Sequence, residues 1–300
     1  MLIRLKYPQI IELEGDDALA FAQAQFSSDT TALATGTWQW SAWLSPQGRV
    51  RALFHLLRVT DTRLLLLLRG GSALRLRDAL ARYVMRAKLA IRVRDGMQLF
   101  STGSAEDVGA HLPTPTGMRI AEDEDCMAIA LPGEPARWLL LAPQALAVAA
   151  DDSAAAQNAH TLADIDAALP VLDEALEDKL LPDWLGLGEL GAISVRKGCY
   201  PGQEVIARLH FKGGNKRWLH RLELAATNLP APGAWLPAEG ENGALVVSTA
   251  WRAEPGFRTA SPAKAAALTA MRDGIEPGQI SARDGGIDVI EIRRARIANS

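Results

Sequence analysis

The sequence predicts a mixed α+β fold that ends in a C-terminal β-barrel, and three observations carry that reading. At 300 residues the chain can bury a large core, and a norm of ~100–200 residues per domain points to two or three domains. Up to Gly213-Gly214, apolar residues switch repeatedly between helical spacing and strict alternation, the mark of interspersed helices and strands. Beyond Gly214, short apolar runs such as Leu219 to Leu224 and Ala244 to Ala250 are separated by Pro230, Pro232, Pro237 and Gly240. Such runs between turn residues describe a small β-rich domain.

In chain order, Gly15 to Phe26 reads as a helix with Ala18, Ala22 and Phe26 on one stripe, and Trp38, Trp40, Ala42 and Leu44 alternate as a strand. Arg49 to Val59 and Arg63 to Arg69 are further strands around Thr60-Asp61-Thr62, the second holding the buried run Leu64 to Leu68. Ser72 caps a helix running through Met85, with Ala73, Leu76, Leu80 and Val84 facing inward. Lys88 to Val93 and Met97 to Phe100 follow as strands around Asp95-Gly96, a dipeptide characteristic of hairpins. After a break at Pro113, Pro115 and Gly117, Ala128 to Leu131 and Arg137 to Leu141 read as strands and Pro143 to Ala150 as a helix. Asp151 to Gln157 is a polar, alanine-rich loop or loose helix, and helical spacing resumes near Thr161 until Pro170. Val205, Ile206 and Leu209 then mark a short helix opened by Gln203 and Glu204.

Composition is that of an ordinary folded protein, with a formal charge of −3 that indicates neither disorder nor a global field for nucleic acid. Two cysteines, Cys126 and Cys199, form no metal-ligand spacing and no disulfide framework, which fits a reducing, cytoplasmic compartment. Tyr7-Pro8 interrupts the N-terminus before a signal-length apolar core, and no run is long enough to span a bilayer, so no membrane partner is expected. Charge is segregated locally. From Asp164 to Glu189 eight acids stand against Lys179, whereas from Arg196 to Arg221 seven bases stand against Glu204. Each run is either a solvated face or, for the basic one, a site for a ligand carrying carboxylates or phosphates.

The chemistry concentrates in Val195-Arg196-Lys197-Gly198-Cys199-Tyr200-Pro201-Gly202-Gln203-Glu204. Two cations flank a cysteine, and neighbouring Lys or Arg can lower a thiol from ~8.5 toward neutrality and expose a thiolate. Tyr200 to Gln203 reads as a tight turn, with Pro fixing φ at its second position and Gly accepting positive φ at its third. Two glycines and a proline around a thiol are poor core material, so a functional role outweighs that of a small buried hydrophobe. Cys126, among the acids Glu122 to Asp125, is expected to be inert. Other motifs fail their context. Gly186-Leu187-Gly188-Glu189-Leu190-Gly191 satisfies GxGxxG without a preceding strand or following helix, and no GxxxxGK[ST], HExxH or GxSxG occurs. Trp38, Trp40 and Trp43 read as core or domain interface before a stacking platform.

Lys197-Gly198-Cys199-Tyr200-Pro201-Gly202-Gln203-Glu204 resembles the KGCYxGQE signature of the YgfZ family, bacterial folate-binding proteins related to the glycine-cleavage aminomethyltransferase. The resemblance extends over Gly15-Asp16-Asp17-Ala18 to Gln25 and Asp29, the Pro46-Gln47-Gly48-Arg49 turn, and Arg208 to Arg217 with Gly214, Asn215 and Lys216. It implies a three-domain ring of the aminomethyltransferase type, with two related α+β domains, one inserted in the other, and a terminal β-barrel. On that plan residues 1–48 and 117–212 form the first domain and carry the motif, residues 49–116 form an inserted ferredoxin-like domain, and residues 213–300 form the barrel. It implies tetrahydrofolate as cofactor, no stably bound metal, and partners among iron–sulfur proteins or their assembly machinery, including enzymes that modify tRNA. Lys197 and Cys199 carry over as the key pair, with Tyr200, Gln203, Glu204 and Arg208 as supports and His160 where a tryptophan beside the folate is expected. The sequence also departs from the transferase. Paired aspartates that engage the folate there are replaced after Gly48 by Arg49, Val50, Arg51, Ala52 and Leu53.

Three functional readings follow. The first is a folate-binding accessory factor for iron–sulfur proteins with Cys199 as reactive thiol. The second is a tetrahydrofolate-dependent one-carbon transferase, which the missing aspartates disfavour. The third is RNA binding through Arg196 to Arg221, which the net negative charge and the lack of interleaved aromatic and basic residues place last, so no direct nucleic-acid partner is expected.

Overall fold

The computed structural model describes residues 1–6, 9–110, 112–123, 126–145, 149–238, 243–252, 262–282 and 286–296. Three antiparallel sheets pack around a shared core, accompanied by helices α1 (Ala18–Gln25), α2 (Ala73–Ala81), α3 (Ala105–Gly109), α4 (Ala154–Asp166) and α5 (Gln203–Lys212). Sheet I has the strand order Thr37–Leu44, Val50–Arg58, Arg63–Leu68, Ile10–Glu14, Ala90–Val93. Apart from the edge strand Ala90–Val93, its strands are buried on both faces. Leu53, Leu57, Leu65 and Leu67 enter the shared core, while Phe54, Leu56, Leu64 and Leu66 pack on α1 and α2. That division follows from the two-residue period of a strand, and it explains why these segments read as nearly unbroken apolar runs.

Sheet II orders Ile3–Arg4, Met97–Thr102, Arg137–Pro143, Cys126–Leu131 and Ile120–Asp123. A bridge from Thr37 to Arg119 and a bond from the Trp38 amide to the Met118 carbonyl stitch it to sheet I. Sheet III, six strands within residues 218–294, is the expected C-terminal β domain, and it curls until Ala238 at one end bridges Ile280 at the other. Leu219, Leu245 and Leu268 send its apolar side into the same core as Leu53 and Leu139.

Several expectations change. A boundary between residues 48 and 49 would cut the hairpin in which Trp38 pairs with Leu57 and Trp43 with Ala52, so the strands on either side share one sheet. The chain instead passes from sheet I to sheet II at Asp95-Gly96. Ala90–Val93 pairs with Ile10–Glu14 and Met97–Thr102 with Arg137–Pro143, so that turn joins two sheets and no hairpin forms. An Asp-Gly dipeptide favours a turn without specifying which strands pair across it. Helix α2 stops at Ala81, ahead of Met85 at φ 44°, a conformation no helix continues through. Between Asp151 and Gln157 the alanines propagate a full helix from Ala154, capped by Ser153 accepting from the Ala156 amide. Of the helix expected over 143–150, Pro143 ends a strand and 144–145 form a turn, while 146–148 lie outside the described residues.

Candidate functional site

The motif turn has the geometry its residues dictate. The Gln203 amide donates to the Tyr200 carbonyl at 3.2 Å, and Gly202 stands at φ 81°, reachable without strain only by glycine. The missing side chain matters as much as the dihedral. A Cβ on Gly202 would lie 2.5 Å from the Ser45 carbonyl oxygen, and one on Gly48, at φ 73°, would lie 3.1 Å from Cβ of Val205 in α5. The Pro46-Gln47-Gly48-Arg49 turn and the cysteine loop therefore interlock through two glycines. α5 begins at once after Gly202, burying Ile206 and exposing Glu204 and Arg208.

Lys197 and Cys199 point in different directions. Cys199 is exposed, whereas Lys197 is 7% exposed and its Nζ donates to the carbonyls of Phe26 at 2.5 Å and Ser28 at 2.8 Å. Burial holds the amine down at about 8, against a smaller pull upward from Asp29. The expected pressing of this ammonium against the sulfur is not what forms, because the chain's own carbonyls capture it. Around it the loop is fastened at several points. Tyr200 Oη donates to the Ser194 carbonyl at 3.0 Å, Gln203 Nε2 to the Lys197 carbonyl at 3.0 Å, the Ser194 amide to the Ser27 carbonyl at 2.8 Å, and Ser27 Oγ to the Ala192 carbonyl at 2.7 Å. Tyr200 and Gln203 thus build the loop, and burial raises the Tyr200 phenol to about 12.

His160 belongs to a different group of residues. On α4 its Nε2 lies 3.5 Å from Asp164, whose oxygens also accept from Arg69 at 2.7 Å and Arg137 at 2.8 Å. Burial alone would raise the Asp164 carboxyl, but Arg69, His160 and Arg137 outweigh it and hold it well below the usual carboxylate range. Next to this network stand three aromatic rings. Arg69 lies 5.7 Å from the Trp40 ring, and His55 lies 4.1 Å from Trp40 and 5.0 Å from Trp38. Burial holds both histidines below their ordinary value, His55 well below it, with Asp164 pulling His160 the other way. Nε1 of Trp38 and Trp40, both ring nitrogens of His55, Nδ1 of His160, Nε of Arg69 and Nη2 of Arg137 are buried with no partner among the described residues. Of these residues the sequence singles out His160 and the tryptophans, with Asp164 only as one of the acidic run. The remaining signal was ionisable residues set in apolar context: Arg69 closing a leucine run, Arg137 opening an aliphatic strand, Asp164 between Ala163 and Ile165.

Only Asp164 of the acidic run is buried; Asp166, Asp173, Glu174, Asp178 and Glu189 are exposed, several of them in surface ion pairs. Asp164 serves the network above, Asp166 pairs with Arg252, Asp178 with Arg51, and Glu174 and Glu177 with Arg75. Part of the basic run is likewise absorbed, with Arg217 stacked 5.5 Å from Trp184 and 4.7 Å from Trp235. Arg196, Arg208, Lys212 and Lys216 remain exposed in the segments flanking Cys199. Among the described residues no helix is long and apolar enough to cross a membrane, and no group of three or more His, Cys, Asp or Glu is placed to hold a metal.

Three sheets about one core, with the cysteine loop leading into α5, define an aminomethyltransferase-type fold. The glycine cleavage system aminomethyltransferase T from Bartonella henselae superposes with a TM-score of 0.71 over 96% of this chain and 84% of that one, at 17% identity. No protein-family model matches the sequence. A tRNA-modifying protein YgfZ from Edwardsiella ictaluri is 33% identical over 243 residues, covering 76% of this chain and 72% of that protein. An uncharacterized protein from Haemophilus influenzae is 31% identical over 216 residues, and a YgfZ from Aliivibrio fischeri is 26% identical over 262. The chain belongs to the YgfZ family.

Proposed function

We propose that this protein is a tetrahydrofolate-binding accessory factor in iron–sulfur cluster assembly or repair, supporting tRNA-modifying iron–sulfur enzymes indirectly, with Cys199 as its reactive thiol. The observation that carries the reading is an exposed cysteine on a loop that the rest of the fold holds rigid through the buried amine of Lys197. A lone cysteine supplies one of the about four ligands an iron–sulfur cluster needs. Any cluster it touches is therefore held mainly by another molecule, and the part left to this chain is transient contact or sulfur transfer to a partner. The names of the YgfZ relatives support the link to tRNA modification.

We assign the folate to the second group of residues. Tetrahydrofolate carries one-carbon units and presents a pyrimidinone ring whose carbonyl oxygen and one ring nitrogen accept hydrogen bonds. Buried donors without partners on Arg69, Arg137, Trp38 and Trp40, with His55 and His160 beside them, are the chemistry such a ring requires. Glu204 and Arg208, exposed on α5, are the motif residues still open to a ligand's polar groups.

The test is genetic rescue in a strain lacking its own member of the family. Cys199→Ala should fold normally and fail to restore the activity of iron–sulfur enzymes, whereas full rescue would end the proposal. Turnover of a methylated or aminomethylated donor by the purified protein would instead favour a one-carbon transferase.

A further inference from the structure

A cleft of about 230 Å³ lies on the far side of sheet I from the shared core, between α2 and the segment that carries Glu177 and Asp178. The Cys199 loop contributes nothing to it. Its apolar lining is Trp43, Ala52, Leu68, Leu76 and Ala79, and its polar wall is Arg51, Arg75, Glu177 and Asp178. Arg51 Nε meets both Asp178 oxygens, at 3.0 and 2.9 Å, and its guanidinium sits 5.4 Å from the Trp43 ring. Arg75 pairs with Glu177 at 2.9 Å and Glu174 at 3.1 Å. Gly70 and Gly71, both at positive φ, lead into the Ser72 cap of α2 and line the same space.

Three further facts point to a ligand. Trp43 is 5% exposed, and its indole N–H meets no acceptor among the described residues. The α2 amide of Arg75 is capped by Ser72 and that of Ala73 by Gln9, but the amides of Gly71, Ser72 and Leu74 meet no acceptor among the described residues. Glu177 is raised above its ordinary value, first by burial and then by Glu174 and Asp178, against the opposing pull of Arg75. The wall therefore offers backbone N–H groups without partners among the described residues, beside two arginine–carboxylate pairs that satisfy each other.

We propose that this cleft binds a free amino acid with an apolar or aromatic side chain. Charge balance selects that class. A simple anion would take the arginines and strand the carboxylates, and a simple cation would do the reverse, because each pair now satisfies itself. An amino acid exchanges with both partners at once: its carboxylate meets Arg75 and the amides at the start of α2, and its ammonium meets Glu177. The start of a helix favours the carboxylate further. The side chain lies on Ala52, Leu68, Leu76 and Ala79 beside Trp43, whose face suits an apolar or aromatic group. At ~30 Å³ per water, the cleft holds roughly seven or eight water volumes, the scale of a single amino acid.

Isothermal titration with L-phenylalanine and L-leucine, each compared with its amine and its acid analogue, tests the class. Saturable binding of an intact amino acid is expected, at least tenfold tighter than phenethylamine or 3-phenylpropanoate. Glu177→Gln and Arg75→Gln should each weaken it tenfold or more with the circular dichroism spectrum unchanged, and Ala79→Phe, which fills the cleft, should abolish it. No binding by any amino acid, equal binding of either half-molecule, or binding unaffected by all three substitutions would overturn the proposal. Because Cys199→Ala leaves this cleft intact, these results and the genetic rescue stand or fall separately.

Discussion

Nζ of Lys197 lies 2.8 Å from the carbonyl oxygen of Ser28, a residue 169 positions earlier in the chain. That bond, with its partner to Phe26, ties the cysteine loop to the segment between α1 and the first long strand of sheet I. The lysine of the motif is thus a positioning residue. It decides where Cys199 stands, and it leaves the sulfur facing outward.

Lys197 should leave a signature in the pH dependence of stability. Its amine titrates at about 8 in the folded protein, against 10.5 for an ordinary lysine. Between those values the unfolded chain binds more protons than the folded one, so stability contributed by this group rises with pH across that window and is flat below it. Urea denaturation across the window should show the rise in the wild type and lose it in Lys197→Met. An identical slope in both would refute the assignment.

The turn at Gly202 gives a sharper test of the interlock with Ser45 and Gly48. Alanine there must adopt φ near 81° and place its Cβ against backbone that has no flexible end to give way. Strain at such a position costs about 1–3 kcal/mol, and the clash adds to it. Gly202→Ala should lower the denaturation midpoint clearly, while Gly198→Ala, which meets nothing within 4 Å, should lower it far less. Equal effects would show that the two turns do not depend on each other.

What could be read beforehand divides along physical lines. Val50–Arg58 is legible as an apolar run of strand length, and α5 because burial on one face leaves a helical period in the sequence. The Tyr200-Pro201-Gly202-Gln203 turn was legible because only certain residues adopt its dihedrals. Where Lys197 points was not, since its acceptors are main-chain carbonyls, which every residue possesses, and they come from a segment distant in sequence. The strand partners of Ala90–Val93 and Met97–Thr102 were hidden for a related reason, because a turn dipeptide specifies a reversal and not what pairs across it. The Arg69–Asp164–Arg137 network is drawn from distant parts of the chain, and by charge alone Asp164 is indistinguishable from the exposed acids that follow it.

Asp164 should be among the least replaceable residues outside the loop. Both its oxygens accept from buried guanidinium groups, and Asp164→Asn would leave Arg69 and Arg137 without a counter-charge. Breaking a buried pair in this way costs about 3–5 kcal/mol. Because the folded carboxyl is held below its ordinary value, the stability it contributes is fully present above the unfolded carboxylate value and is lost as pH falls through the folded one. Acid unfolding monitored by circular dichroism should begin at higher pH in Arg137→Met than in the wild type, since that change removes one of the charges holding Asp164 ionised. A wild-type acid profile in Arg137→Met would show that Arg69 alone sets the carboxyl.

Ligand entry beside the same network should be visible through Trp38 and Trp40. Both indoles are about 1% exposed, both stand against the neutral ring of His55, and neither N–H has a partner among the described residues. A pterin whose carbonyl and ring nitrogen engage these donors changes the polarity around the indoles, so titration with tetrahydrofolate under reducing conditions should give a saturable change in tryptophan emission. Trp40→Phe should remove most of the signal and weaken binding, because the ring remains but its N–H does not. Cys199→Ala should leave both untouched, since no hydrogen bond or ring contact joins the cysteine loop to the His55 and His160 group among the described residues. No change in emission up to millimolar folate would mean that the side chains of Trp40, Arg69 and Asp164 fill this space themselves, and that the protein acts through its thiol without the cofactor.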